Sequence, residues 1–277
     1  CIRDSLWRVL QVVGSAFRST VPLIIRPRIL LPFLIVAVVQ LGMLGMLVLF
    51  HERTLLPVAL PLVRLLGGDA ATHYPTFFFA LPTMFSRAGL AIAILVASVT
   101  AGVATLLFAR AFGFESKGNA WKLALRVAPV LIVLTAFEGL LLFGLSLLAE
   151  PIPQDSRLLR WGTRGGMLAI FVLIEAFLIY STAWVVLSGH RILPAVRDSI
   201  RVTARTFLPT LLIVAIPTVL LYPLSYLAGR VDLIANKLRP EMVTVLLSTR
   251  IAAEMLMTFL LIGAITRLFL WRMEERR

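Results

Sequence analysis

Cysteine is almost missing from this chain. Cys1 is the single one in 277 residues, which rules out an internal disulfide and a cysteine zinc site and leaves lipidation or chain processing as the roles open to it. Charge is scarce too, at 15% of residues, and acids are the scarcer sign, with 14 Asp and Glu against 27 Lys and Arg. Histidine occurs three times, as His51, His73 and His190, which the span reading below places on opposite sides of a bilayer, so they cannot share one metal or haem. Asp69 and His73 are one helical turn apart, but one carboxylate and one imidazole leave a metal short of ligands. There is no phosphate-binding G-x-x-x-x-G-K-[ST] loop, no H-E-x-x-H pair and no G-x-S-x-G elbow. The chain therefore reads as non-enzymatic, with no cofactor or metal.

What the chain has is apolar length. Hydrophobic residues make up 60% of it, and a mean hydropathy of +0.95 is wrong for a soluble globule and normal for a bundle of membrane spans. A helix crossing about 30 Å of hydrocarbon needs roughly 20 apolar residues. Six runs qualify, at 29–50, 88–112, 123–148, 165–187, 207–227 and within 242–270. Backbone amides in hydrocarbon must be satisfied within the segment, so these runs predict helices and an all-α polytopic membrane bundle. Residues 1–28 read as a separate N-terminal element before a transmembrane domain at 29–277. The connection 51–87 holds LLPVALPLVRLL and YPTFFFALP, whose close prolines place it at the membrane surface rather than in a span.

Orientation follows from the cations, because basic loops stay cytoplasmic. Arg53, Arg64, Arg87, Arg157, Arg160, Arg164, Arg230, Lys237, Arg239 and Arg250 fall on one side, and the other 17 of the 27 fall on the side of the two termini. Both termini are expected in the cytoplasm. The net charge of +13 does not point to nucleic acid, since the basic residues are dispersed over loops with no aromatic-interleaved basic domain. Anionic phospholipids are the expected counter-charge.

In CIRDSLWRVLQVVGSAFRST, the residues Ile2, Leu6, Leu10, Val13 and Phe17 recur at helical spacing, with Arg3, Arg8, Gln11 and Arg18 off that stripe. The pattern predicts an interfacial amphipathic helix with Trp7 at headgroup level, or else a helix docked on the bundle. An internal echo is more specific. AWKLALRV (120–127) and AVRDSIRV (195–202) share A-x-[KR]-x-[AS]-[LI]-R-V without a gap, each leading into a span from the inner side. Lys122 with Arg126, and Arg197 with Arg201, lie one turn apart, and Arg205 adds another turn, so each segment offers a cationic pair to lipid headgroups or a partner subunit. The echo suggests a parallel repeat relating 88–148 to 165–227.

Three carboxylates fall inside apolar runs: Glu138 in LTAFEGLLLFG, Glu175 in FVLIEAFLIYS and Glu254 in RIAAEMLMTF. Acids at such depth face the bundle interior and find partners. Glu254 is one turn from Arg250, its expected ion-pair partner. For Glu138 and Glu175 two readings stand: a proton or cation path, or neutral acids hydrogen-bonded to hydroxyls of neighbouring helices. Ser98, Thr100 and Thr105 in span two offer such hydroxyls among small residues, and Pro209, Pro217 and Pro223 in span five predict kinks.

The basic lead-in RPRILLPFLIVAV and the inner segment ILPAVRDSIRVTARTFLPTLL resemble the six-span bacterial proteins related to the membrane domain of glycerophosphodiester phosphodiesterases. That resemblance implies a multi-pass module of a bacterial inner membrane, without the separate soluble domain that carries the family's chemistry, so no catalytic residue carries over. RDSIRVTARTFLP is also similar to the coupling loop of import-type ABC permeases, although the expected glutamate and central glycine are missing. The chain is therefore expected to be a lipid-contacting scaffold or an accessory subunit of a membrane complex. The alternative is a small transporter using Glu138 and Glu175.

Overall fold

The computed structural model describes residues 2–116, 118–149, 157–231 and 239–274, and every regular element in them is helical. In chain order these are α1 (Ile2–Thr20), a 3-10 segment (Val21–Ile25), α2 (Pro27–Val48), α3 (Leu56–Gly67), a second 3-10 segment (Asp69–Thr72) and α4 (Thr76–Ile92). A π-helical stretch (Ala93–Ala97) leads into α5 (Ser98–Ala111), then α6 (Ala120–Arg126), α7 (Ala128–Ala149) and α8 (Arg157–Leu178). The last are α9 (Tyr180–Ser188), α10 (Ile192–Arg205), α11 (Phe207–Ala228) and α12 (Met242–Glu274).

Six stretches are long and apolar enough to cross a membrane: Pro27–Val48, Thr76–Ala111, Ala128–Leu145, Gly165–Ser188, Phe207–Ala228 and Met242–Glu274. The chain is an all-α, multi-pass membrane protein.

Span two differs from its sequence outline because proline marks helix ends less strictly in an apolar setting. Span two does not begin at residue 88. It begins at Thr76 and runs through Pro82 and the π stretch to Ala111 as one 36-residue helix, so YPTFFFALP belongs mostly to a span and not to a surface loop. A proline removes a single backbone hydrogen bond, which neighbouring turns can absorb. Span five likewise runs unbroken through Pro209, Pro217 and Pro223, and Thr218 Oγ1 donates to the Val214 carbonyl at 2.8 Å beside the second of them. Spans three and four are instead broken, span three at Val127, two residues ahead of Pro129, and span four at Ile179, where no proline stands.

The described residues form two compact units whose boundaries fall at Pro32, Ala97, Thr218 and Thr258. The first draws on Cys1–Pro32, Ser98–Thr218 and Phe259–Arg277. Its core gathers Val13, Ala16, Leu131, Tyr180, Trp184, Ile213 and Phe269. Helix α1 belongs to that core, with Val13 and Ala16 buried, Val9, Val12 and Phe17 packed beside them, and Leu10 52% exposed. The buried stripe is thus rotated from the one the sequence suggests, toward Val9, Val13, Ala16 and Thr20. Ile2, Leu6 and their side chains lie outside what is described at side-chain level. Thr20 fixes the approach, since its Cγ2 occupies the place a Cβ on Gly263 would need. The face away from the core carries Trp7, which is 63% exposed.

The second unit draws on Phe33–Ala97 and Val219–Thr258. Leu44, Leu47, Phe50, Val63, Leu81, Met84 and Leu247 form its interior, with Phe50 and Phe77 ring centroids 5.0 Å apart. Helix α3 is held by Arg64, whose Nε lies 3.2 Å from Asp69 Oδ1, and its Leu66 carbonyl accepts from Arg87.

Candidate functional site

Spans three and five are each entered through a short amphipathic helix. The first, α6, starts where the Asn119 side chain accepts from the Trp121 amide at 2.9 Å, a cap that satisfies one of the orphan N–H groups of a helix start. Its buried residues Ala120 and Ala124 pack with Val103 and Leu106 of α5. Lys122, Leu125 and Arg126 stay exposed, and the helix breaks at Val127 before α7.

The second, α10, follows a left-handed turn. Gly189, at φ 68°, closes α9 with its N–H on the Val185 carbonyl at 3.1 Å, a conformation that glycine adopts without the Cβ clash other residues incur. Ala195, Ser199, Val202 and Thr203 are buried, while Arg197, Ile200, Arg201 and Arg205 are exposed. His190 stacks on Trp184 with centroids 4.9 Å apart and planes 8° from parallel, and its Nδ1 lies 3.5 Å from Asp198 Oδ2. Arg272, near the end of α12, donates to the Arg205 carbonyl at 3.3 Å. The cationic pairs read from the sequence are therefore on the surface, each on the outer side of a helix whose small residues face inward.

A buried hydroxyl seam fastens α10 to the break in span four. Where α8 stops at Leu178, Ser199 Oγ donates to the Phe177 carbonyl at 2.6 Å and Thr203 Oγ1 to the Ala176 carbonyl at 2.8 Å. Interrupting a helix leaves carbonyls without intrahelical donors, and these hydroxyls supply the missing bonds. The seam continues as Tyr180 Oη to Thr210 Oγ1 at 2.7 Å and Thr210 to Thr206 at 3.1 Å. Sequence reasoning passed over this seam, although its signal was present: Ser199, Thr203, Thr206 and Thr210 are spaced by four, three and four, a single helical stripe.

Glu138 on α7 and Glu175 on α8 lie on helices that pack together. Both are partly buried. Among the described residues no hydroxyl or cation is bonded to either carboxyl. Of the hydroxyls named from the sequence, Thr105 donates to the Ala101 carbonyl at 2.8 Å. Glu254 is different, because Arg250 Nε reaches its Oε1 at 2.6 Å within the second unit. Asp69 is paired with Arg64, and among the described residues no three His, Cys, Asp or Glu converge on one point. No family model, curated protein or solved structure matches the chain.

Proposed function

We propose that this chain is a non-enzymatic protein of a bacterial inner membrane, with both termini in the cytoplasm, acting as a lipid-contacting scaffold or accessory subunit of a membrane complex. The observation that supports the reading is the exposure of Lys122, Arg126, Arg197, Arg201 and Arg205 on two helices that lead into spans. Cations placed there meet headgroups, and each contributes about 1 kcal/mol of attraction to an anionic surface. The layout shared with membrane modules of glycerophosphodiester phosphodiesterases fits the same role. Lipid extracted from purified protein tests it: the wild type should be enriched in phosphatidylglycerol and cardiolipin over the bulk membrane, and a variant with all five cations changed to Gln should lose that enrichment. Equal lipid composition in the two proteins counts against the reading.

A second reading rests on a separate observation, the carboxylates of Glu138 and Glu175, on helices that pack together and with no bonded partner among the described residues. Acids left so within a membrane are characteristic of proton and cation pathways. Proton or solute flux in reconstituted vesicles decides it: transport by wild type supports the pathway, and its absence under both pH and cation gradients removes it.

A further inference from the structure

We infer that the two entry helices are equivalent copies of one anionic-headgroup clamp, so that each chain holds two separate anionic phospholipids; this rests on the lipid-contacting reading above. The equivalence is structural and not only a matter of letters. Position by position through AWKLALRV and AVRDSIRV, Ala120 and Ala195 are buried, as are Ala124 and Ser199. Lys122 and Arg197, Leu125 and Ile200, and Arg126 and Arg201 are exposed in the same order.

The surroundings agree as well. A left-handed glycine precedes each helix, Gly113 at φ 94° and Gly189 at φ 68°. Each helix folds back on the one before it, α6 on α5 and α10 on α9, and each span that follows carries a proline in its first turn, Pro129 and Pro209. Helices α5 and α9 themselves pack together near Gly102, where a Cβ would stand 2.7 Å from Leu131 and 3.3 Å from Val186. The copies differ in length, since α10 runs on past Val202 to Arg205 before its break.

The exposed side of each copy has the chemistry of a phospholipid at the membrane boundary. Two cations one turn apart bracket an aliphatic side chain, Leu125 at 58% exposure and Ile200 at 44%. The cations suit a phosphodiester, and the aliphatic group between them suits the start of an acyl chain. In the first copy 120–127 contains no acid; in the second, Asp198 lies 3.5 Å from His190 and 4.0 Å from Arg201, while Arg197 has no acid paired with it among the described residues. A soluble phosphate would have no use for the exposed aliphatic group, so the occupant is a lipid.

Native mass spectrometry of the full chain in mild detergent with added phosphatidylglycerol counts the sites. The wild type should retain about two phosphatidylglycerol molecules against added salt, and no phosphatidylcholine. Lys122→Gln with Arg126→Gln should remove one, Arg197→Gln with Arg201→Gln the other, and the fourfold variant both, while charge-keeping exchanges of Lys and Arg at these positions should keep both. Loss of both lipids from either double variant, or of neither, overturns the two-clamp inference while leaving a lipid-contacting protein. A wild type that retains no anionic lipid removes both the inference and the reading beneath it.

Discussion

Glu175 stands one turn ahead of the break at Ile179, and what it lacks is more informative than where it sits. Its sequence context suggested that hydroxyls of neighbouring helices would bridge it, which would make its replacement by Leu costly. Among the described residues no hydroxyl or cation is bonded to its carboxyl, so Glu175→Leu should leave the thermal midpoint in detergent unchanged or raised, because a partly buried acid with no bonded partner gives way to an apolar side chain. A clear fall in the midpoint would reveal a partner for the carboxyl. If vesicles show flux, Glu175→Gln should abolish it in a folded protein, since an amide cannot titrate; undiminished flux would remove Glu175 from the path. The seam hydroxyls carry the opposite expectation. Thr203→Val keeps the shape but leaves the Ala176 carbonyl unpaired, and should destabilise by about 1 to 3 kcal/mol in a denaturation series, with Thr203→Ser close to wild type. Equal stability of Val and Thr at this position would mean the bond does not hold the break.

At the scale of elements, apolar run length located all six spans, because hydrocarbon demands helices of fixed reach. The breaks were legible only in part. Pro129, two residues past Val127, marks the first, but no proline or glycine stands at Ile179, and the bonds that make that break tolerable come from α10, far along the chain. Conversely, Pro82 suggested an end where span two continues, since its effect depends on an apolar setting that local spelling does not convey, whereas Pro75 does mark the start of that helix. For α1 the sequence gives an apolar face too broad to fix its register, and packing against Gly263 and its neighbours selects Val13 over Leu10. Val13→Ala should therefore cost roughly 2 kcal/mol, and Leu10→Ala less than about 0.5 kcal/mol. Equal losses at the two positions would put the helix in a different register. The cationic pairs were readable in full, as charges one turn apart on a helix must share a face; that the same residues of each copy turn inward required the folded chain.

For the whole molecule, the asymmetric distribution of Lys and Arg predicts which side each connection occupies. Reporter fusions after Arg201 should score as cytoplasmic and fusions after Asp69 as external, and the reverse pattern would invert the assignment of every loop. On that assignment Lys122 and Arg126 of α6 and the arginines of α10 meet the leaflet in which anionic lipids are most useful as counter-charge. The most direct test of that account is electron spin resonance of spin-labelled phosphatidylglycerol and phosphatidylcholine in vesicles holding the reconstituted protein. Lipid touching the protein is motionally restricted, so the spectra report which headgroup the surface prefers. The account predicts a preference for phosphatidylglycerol that weakens as salt shortens the screening length from about 30 Å at 0.01 M to about 3 Å at 1 M, and that disappears when Lys122, Arg126, Arg197, Arg201 and Arg205 are all changed to Gln. Equal restriction of the two lipids by the wild-type protein at low salt would contradict it.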